Sequence, residues 1–171
     1  MPDEVMLMNK VRELELALQH TREELAYVRE AVCRPQVKFS GRLTRASDGA
    51  SGYDLHAAKG GYIPYGQQLL VRTGVHLAMP YGLEAQVRSR SGLAQHGISV
   101  ANGVGTIDSD YRGEVCVLLR NHNHAHDYHY AEGDRIAQLV FCFLPSAILK
   151  QSEITQDTER GADGFGSTGV K

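Results

Sequence analysis

Apolar side chains in the first part of the chain recur at alternating steps of four and three. Leu7, Val11, Leu14, Leu18, Leu25, Val28 and Val32 follow this rhythm, and Thr21 fills the one polar step. The spacing is a heptad, with Val11, Leu18, Leu25 and Val32 on one line and Leu7, Leu14, Thr21 and Val28 on the other. Glu15, Arg22, Glu23, Glu24, Arg29 and Glu30 occupy the faces between. No Gly or Pro follows Leu7 until Pro35. The pattern predicts one helix over residues 7–32, roughly 40 Å long at the α-helical rise. Two arrangements bury its stripe: packing on the chain's own domain, or a coiled coil between subunits. About four heptads favour the coiled coil, while mixed Leu and Val leave the strand number open.

From Val37 onward the period shortens. Short runs rich in Val, Ile, Leu and Tyr alternate with Gly and Pro, at residues 60–64, 69–74, 75–82, 115–119 and 136–144. Many short strands with turn residues between them predict an all-β sandwich, jelly roll or barrel. No βαβ alternation and no internal repeat is present. Residues 156–171 hold no strand-like run and are rich in Gly, Ser, Thr and Asp, which predicts a flexible tail. The chain thus divides into an N-terminal helix (1–34), a β domain (35–155) and a tail (156–171).

Composition narrows the class. The 171 residues are 42 % hydrophobic and 22 % charged, which is globular rather than disordered. A formal charge of −2 argues against a protein that coats nucleic acid, yet permits a local basic pocket for a small polyanion. Cys33, Cys116 and Cys142 are widely spaced and odd in number, which suits small apolar side chains in a reducing compartment. No stretch is long and apolar enough to span a bilayer, and the N-terminus lacks a secretory or transit pattern. The expectation is a soluble intracellular enzyme or binding protein, in the cytoplasm, or the nucleus of a eukaryotic host.

Five segments are candidates for chemistry, each with a plainer reading beside it. Residues 160–169 carry glycines at 161, 164, 166 and 169 around Ser167 and Thr168, with Arg160 and Phe165. Glycine lets backbone N–H groups converge on an anion, arginine grips phosphate bidentately, and a ring stacks on a base. Taken alone, the segment reads equally as a disordered tail. Arg88-Ser89-Arg90-Ser91-Gly92-Leu93-Ala94 is a phosphate cradle or an exposed basic turn. Residues 102–113 open with the hairpin signal Asn102-Gly103. There Asn102 suits a base edge, and Asp108, following a β-branched run, is expected half-buried as a general base; the plainer reading is a turn with solvated aspartates. Asp54, at a turn-to-strand junction, suits Mg²⁺ through water or nothing at all. His122, His124, His126 and His129 invite a metal, but a solvated loop is simpler.

Taken together and in this order, these segments resemble the trimeric dUTP pyrophosphatase (dUTPase) family, whose five motifs are all present. Residues 51–58 are similar to motif one, 90–94 to motif two, 102–114 to motif three, 133–139 to motif four and 160–169 to motif five. The resemblance covers nearly all of residues 37–171 and leaves the helix outside. It implies a distorted jelly roll, a homotrimer with shared active sites, and Mg²⁺ as cofactor. It also implies hydrolysis of dUTP to dUMP and pyrophosphate, which limits uracil in DNA and supplies dUMP for dTTP synthesis.

The resemblance assigns roles as well. Asn102 would bond the pyrimidine edge, aided by backbone groups of Gly105, Thr106 and Ile107. Tyr111 would pack under the deoxyribose and exclude a 2′-hydroxyl. Asp108 would orient the water that attacks the α-phosphorus. Arg90, Ser91, Gly92 and Gln138 would contact the phosphates, and Asp54 would hold water on Mg²⁺. Phe165 would close over uracil with Gly166, while Arg160, Ser167 and Thr168 grip the γ-phosphate. Neither nucleic acid nor membrane is an expected partner, whereas the helix is free to bind another protein.

Two positions depart from the family pattern: Ser89 stands where proline is usual, and Asp163 where glycine is usual. Two other functions remain open at this level. dCTP deaminase shares the fold but needs a catalytic glutamate and a different end to motif two. A regulatory binding module on the same fold would use the added helix.

Overall fold

The computed structural model describes residues 2–145, 147–155 and 158–162, apart from the side chains of residues 2–4 and 30–33. Helix α1 runs Pro2–Cys33, a little longer at each end than its apolar rhythm predicts. Every side chain from residue 5 to 29 is exposed, so the stripe is not buried on the chain's own domain. Val32 and Glu30 fall among the undescribed side chains. Among the described residues no helix is long and apolar enough to cross a membrane.

The β domain stacks two antiparallel sheets. The first has four strands in the order β1 (Lys38–Ser40), β5 (Gln68–Ala78), β9 (Glu114–Asn121), β7 (Ile98–Val100). The second has five, in the order β2 (Leu43–Thr44), β3 (Tyr53–His56), β11 (Arg135–Phe143), β6 (Leu83–Arg88), β8 (Gly105–Ile107). A ribbon of β4 (Gly61–Ile63) and β10 (Tyr128–Tyr130) flanks them. This is the predicted all-β jelly-roll class.

Alternation builds the core. Val71, Val75 and Leu77 of β5 point inward, as do Val115, Val117 and Leu119 of β9, while the residues between them are more exposed. They meet Leu55, Ala85, Val87 and Leu139 of the second sheet. The two runs predicted at 69–74 and 75–82 merge into the single strand β5, which ends at Ala78 and carries a register shift between Val71 and Val75. Gly74, at φ 70°, supplies the left-handed turn this bulge requires. One carboxylate holds it: Glu114 accepts from the Thr73 and Gly74 N–H groups (3.1 and 2.7 Å) and pairs with Arg72 Nη2 at 2.6 Å.

The Asn102-Gly103 turn is not a hairpin. β7 pairs with β9 and β8 pairs with β6, so the turn carries the chain from one sheet to the other. Gly103 takes φ 76° at this corner. A turn signal reads the reversal, but the partner of each strand is a distant segment.

Candidate active site

Motifs one, two and four converge on the outer face of the five-stranded sheet. Asp54 of β3 lies opposite Gln138 of β11, which lies opposite Arg88 of β6. Directly paired residues share a face, so the register alone gathers these three side chains. The Asp54 carboxylate is buried, with Arg90 Nε 3.3 Å from Oδ1 and Arg135 Nη1 3.4 Å from Oδ2. Arg90 Nη1 donates to the Arg135 carbonyl at 2.8 Å. The buried Arg90 Nε has no hydrogen-bond partner, because its approach to Asp54 lacks hydrogen-bond alignment. An unsatisfied buried donor costs about 1–3 kcal/mol. A bound anion offers it an acceptor.

The backbone around Asp54 is tightly stitched. Ala57 N–H donates to the Asp134 carbonyl and Gly133 N–H to the Ala57 carbonyl, both at 2.8 Å. His56 Nδ1 lies 2.8 Å from the Gly133 carbonyl, so that nitrogen carries the proton, and in the neutral ring Nε2 accepts from the Thr44 hydroxyl. A Cβ at Gly52 would meet the Leu139 carbonyl at 3.1 Å, so glycine lets the motif-one loop lie on β11.

Motif two forms the single-turn helix α2, Ser91–Ala94, directly after β6. Helical starts leave their first N–H groups without intrahelical acceptors, and nothing lies within 4 Å of a Cβ built on Gly92. Ser89 fixes the approach to this turn: its hydroxyl accepts from the Val100 N–H at 2.8 Å, joining motif two to β7.

Motif three lines a separate cleft of about 310 Å³, walled by Leu70, Thr106, Ile107, Asp108, Tyr111, Glu114 and Cys116. Asp108 is exposed rather than half-buried: it follows the edge strand β8, which has no neighbour on its far side among the described residues. Tyr111 donates to the Glu114 carbonyl at 3.2 Å, and its ring lies so close over Gly113 that a Cβ there would collide with the phenol oxygen. Arg112 Nη1 clamps the turn through the Ser109 and Tyr111 carbonyls. A Cβ at Gly105 would come within 3.2 Å of the Asn102 amide, so this glycine leaves room for Asn102 beside the strand. Burial pushes the Cys116 thiol up, so it is protonated at neutral pH and not a nucleophile in the cleft. The hydrogen bond from Arg72 and those from the bulge hold the Glu114 carboxyl below its ordinary range.

The two groups are far apart within one chain. Asp54 and Asp108 are separated by three strand spacings across the sheet and about four residues along it, which amounts to roughly 20 Å. Arg160 lies at an exposed turn closed by Gly161 N–H on the Thr158 carbonyl. Phe165, Gly166, Ser167 and Thr168 lie outside the described residues, as does Asp163. The histidine loop has internal partners: His122 Nε2 contacts Ser99 Oγ at 2.7 Å, His129 stacks on Tyr62, and the buried Asn121 amide donates to the His126 carbonyl. Among the described residues no group of three or more His, Cys, Asp or Glu side chains is arranged to hold a metal.

A single carboxylate facing two guanidiniums does not cage a cation. It does fit Mg²⁺ that arrives on a polyphosphate and keeps most of its water. The contacts of Arg135 and Glu114, and the tie from Ser89 to β7, have no signal in the local sequence. Arg135 and Asp54 meet across 81 residues, and no local signal marks such a pair.

The family model for dUTPase matches residues 41–169. The chain is 47 % identical over 126 residues to the deoxyuridine 5'-triphosphate nucleotidohydrolase of Zymomonas mobilis, covering 73 % of this chain and 86 % of that protein. It is 46 % identical over 136 residues to the enzyme of the same name from Rickettsia akari, covering 77 % and 91 %. A mutant dUTPase of Staphylococcus bacteriophage 80alpha, solved with dUpNHpp, superposes with a TM-score of 0.74 at 24 % identity, over 80 % of this chain and 99 % of that one. A mutant dUTPase of S. aureus phage phi11, described as coordinating a structural Mg(II) ion, superposes at 0.66 and 22 % identity, over 71 % and 99 %.

Proposed function

The chain belongs to the dUTPase family, and we propose that it hydrolyses dUTP to dUMP and pyrophosphate in a site that several copies of the chain build together. The observation that carries the shared site is the separation of the two clusters. Asp108 and Tyr111 line one cleft, and Asp54, paired with Arg90, is roughly 20 Å from Asp108 by strand spacing across the same sheet. One α-phosphorus cannot lie beside both. A neighbouring copy that sets its Asp54–Arg90 face against this cleft closes the gap, and a closed ring of three such head-to-tail contacts gives a homotrimer.

In this reading Asn102 holds the uracil edge, with the backbone of Gly105, Thr106 and Ile107, and Tyr111 packs under the deoxyribose. Asp108 takes a proton from the attacking water as it approaches the α-phosphorus in line. Arg90 and the first N–H groups of α2, at Ser91 and Gly92, neutralise phosphate charge, and Gln138 supplies a further donor. Phosphoryl transfer rests mainly on such placement and charge compensation. Asp54 would hold water of a Mg²⁺ carried by the triphosphate, and that ion would supply charge neutralisation at the phosphate oxygens. Arg160, Phe165, Gly166, Ser167 and Thr168 cover the base and γ-phosphate; this assignment rests on motif five alone. A nucleotide pool as substrate puts the activity inside a cell.

The test is turnover of dUTP with Mg²⁺. Pyrophosphate and dUMP are expected, with little turnover of dTTP or UTP. Ammonia release from dCTP in a parallel assay would indicate a deaminase, and dUTP binding without turnover a regulatory module. Asp108→Asn should keep nucleotide binding and lower kcat by about 10²- to 10⁴-fold, the range for a positioned general base. Near-normal turnover would remove Asp108 from that role.

A further inference from the structure

We propose that helix α1 joins copies of this chain as a parallel, in-register coiled coil. The number of helices in that coil, three, rests on the trimer proposed above. Its surface is complete but uncovered: Leu7, Val11, Leu14, Leu18, Leu25 and Val28 are all at least half exposed. The family match begins at residue 41, so the helix lies outside it.

The flanking charges name the occupant. With Val11, Leu18 and Leu25 at the first core position of each heptad, Lys10 and Glu24 stand at one flank and Glu15, Arg22 and Arg29 at the other. In a parallel pair aligned in register, each residue of the first flank faces the residue five places further along its neighbour. Lys10 then meets Glu15, and Glu24 meets Arg29. Both pairs are opposite in charge, and Ala17 leaves Arg22 without a like-charged neighbour. The surface is thus complementary to itself.

The charges also have partners within the helix: Lys10 Nζ lies 3.4 Å from Glu13, and His20 Nε2 lies 3.4 Å from Glu24. Exposed pairs of this kind are weak and exchange readily. Burial of the apolar lines supplies the association, while the flanks select direction and register. Thr21 makes one polar core layer, and a polar core residue constrains register at some loss of stability. Leu16 lies on the outer face of such a coil and gives an internal reference position.

Cysteine placement in the full chain tests this. Leu14→Cys and Leu16→Cys proteins are treated with a short bismaleimide, and crosslinked peptides are mapped by mass spectrometry to separate them from native Cys33, Cys116 and Cys142. Crosslinks joining position 14 to position 14 should exceed those at position 16 by at least several-fold. Adding Lys10→Glu to Leu14→Cys should reduce that yield, and adding Glu15→Lys as well should restore it. Equal yields at 14 and 16 overturn the coil, and failure of the charge exchange to restore the yield overturns the parallel register. Mass and dUTP turnover of the same samples separate these failures from failure of the trimer reading. An active trimer without the crosslink disproves the coil alone.

Discussion

Ser89 stands where dUTPases usually carry proline, and it makes a side-chain bond that ties the approach to motif two to β7. Its hydroxyl accepts from the N–H of the buried Val100. Proline would fix the backbone before Arg90 by its ring; serine holds the same turn from across the chain. Ser89→Ala leaves the Val100 donor unpaired and should lower stability by about 1–3 kcal/mol. The urea midpoint should fall with an unchanged slope, and an unshifted midpoint would show the contact to be dispensable. Gly113 is the second informative residue. A Cβ there meets the Tyr111 phenol, the far end of an exposed side chain held by one hydrogen bond to the Glu114 carbonyl, so the ring moves rather than the backbone. Gly113→Ala should therefore raise KM for dUTP several-fold while leaving the melting temperature nearly unchanged. A large loss of stability with unaltered KM would contradict the role given to Tyr111.

At the scale of elements, the bulge in β5 depends on one carboxylate. Glu114 caps two N–H groups there and binds Arg72. Its folded pKa is lowered, so its stabilisation is fully present above the ordinary carboxylate value of about 4.3. That stabilisation is lost as pH falls through the lower folded value. Glu114→Gln should melt below the native protein at pH 7, and the two melting curves should converge as the pH drops below about 4. A constant gap across that range would show that the charge plays no part. The strands β5, β9 and β11 were legible in the sequence because alternation and burial act locally. The Asn102 corner was not, since a turn residue reports a reversal and not which strands pair afterwards. The exposure of Asp108 was hidden for a related reason: its burial depends on what covers the edge strand β8, and no local pattern states that. The five motifs gave the site residues their family, while the Asp54–Arg135 contact and the Ser89 tie came only with the fold.

At the scale of the whole molecule, the proposed shared site divides its residues between two places on one chain. Asp108 and Tyr111 belong to one, Asp54, Arg90 and Gln138 to the other, and the account requires that they be completed by different copies. Co-refolding Asp108→Asn chains with Arg90→Ala chains tests this directly. Each variant alone should be nearly inactive. An equal mixture pairs an intact Asp108 with an intact Arg90 from a neighbour in about a quarter of the sites of a randomly assembled trimer. Recovery of about that fraction of native turnover is the predicted result. A mixture no more active than the sum of its parents would contradict the shared site and would place both residues in the service of a single chain.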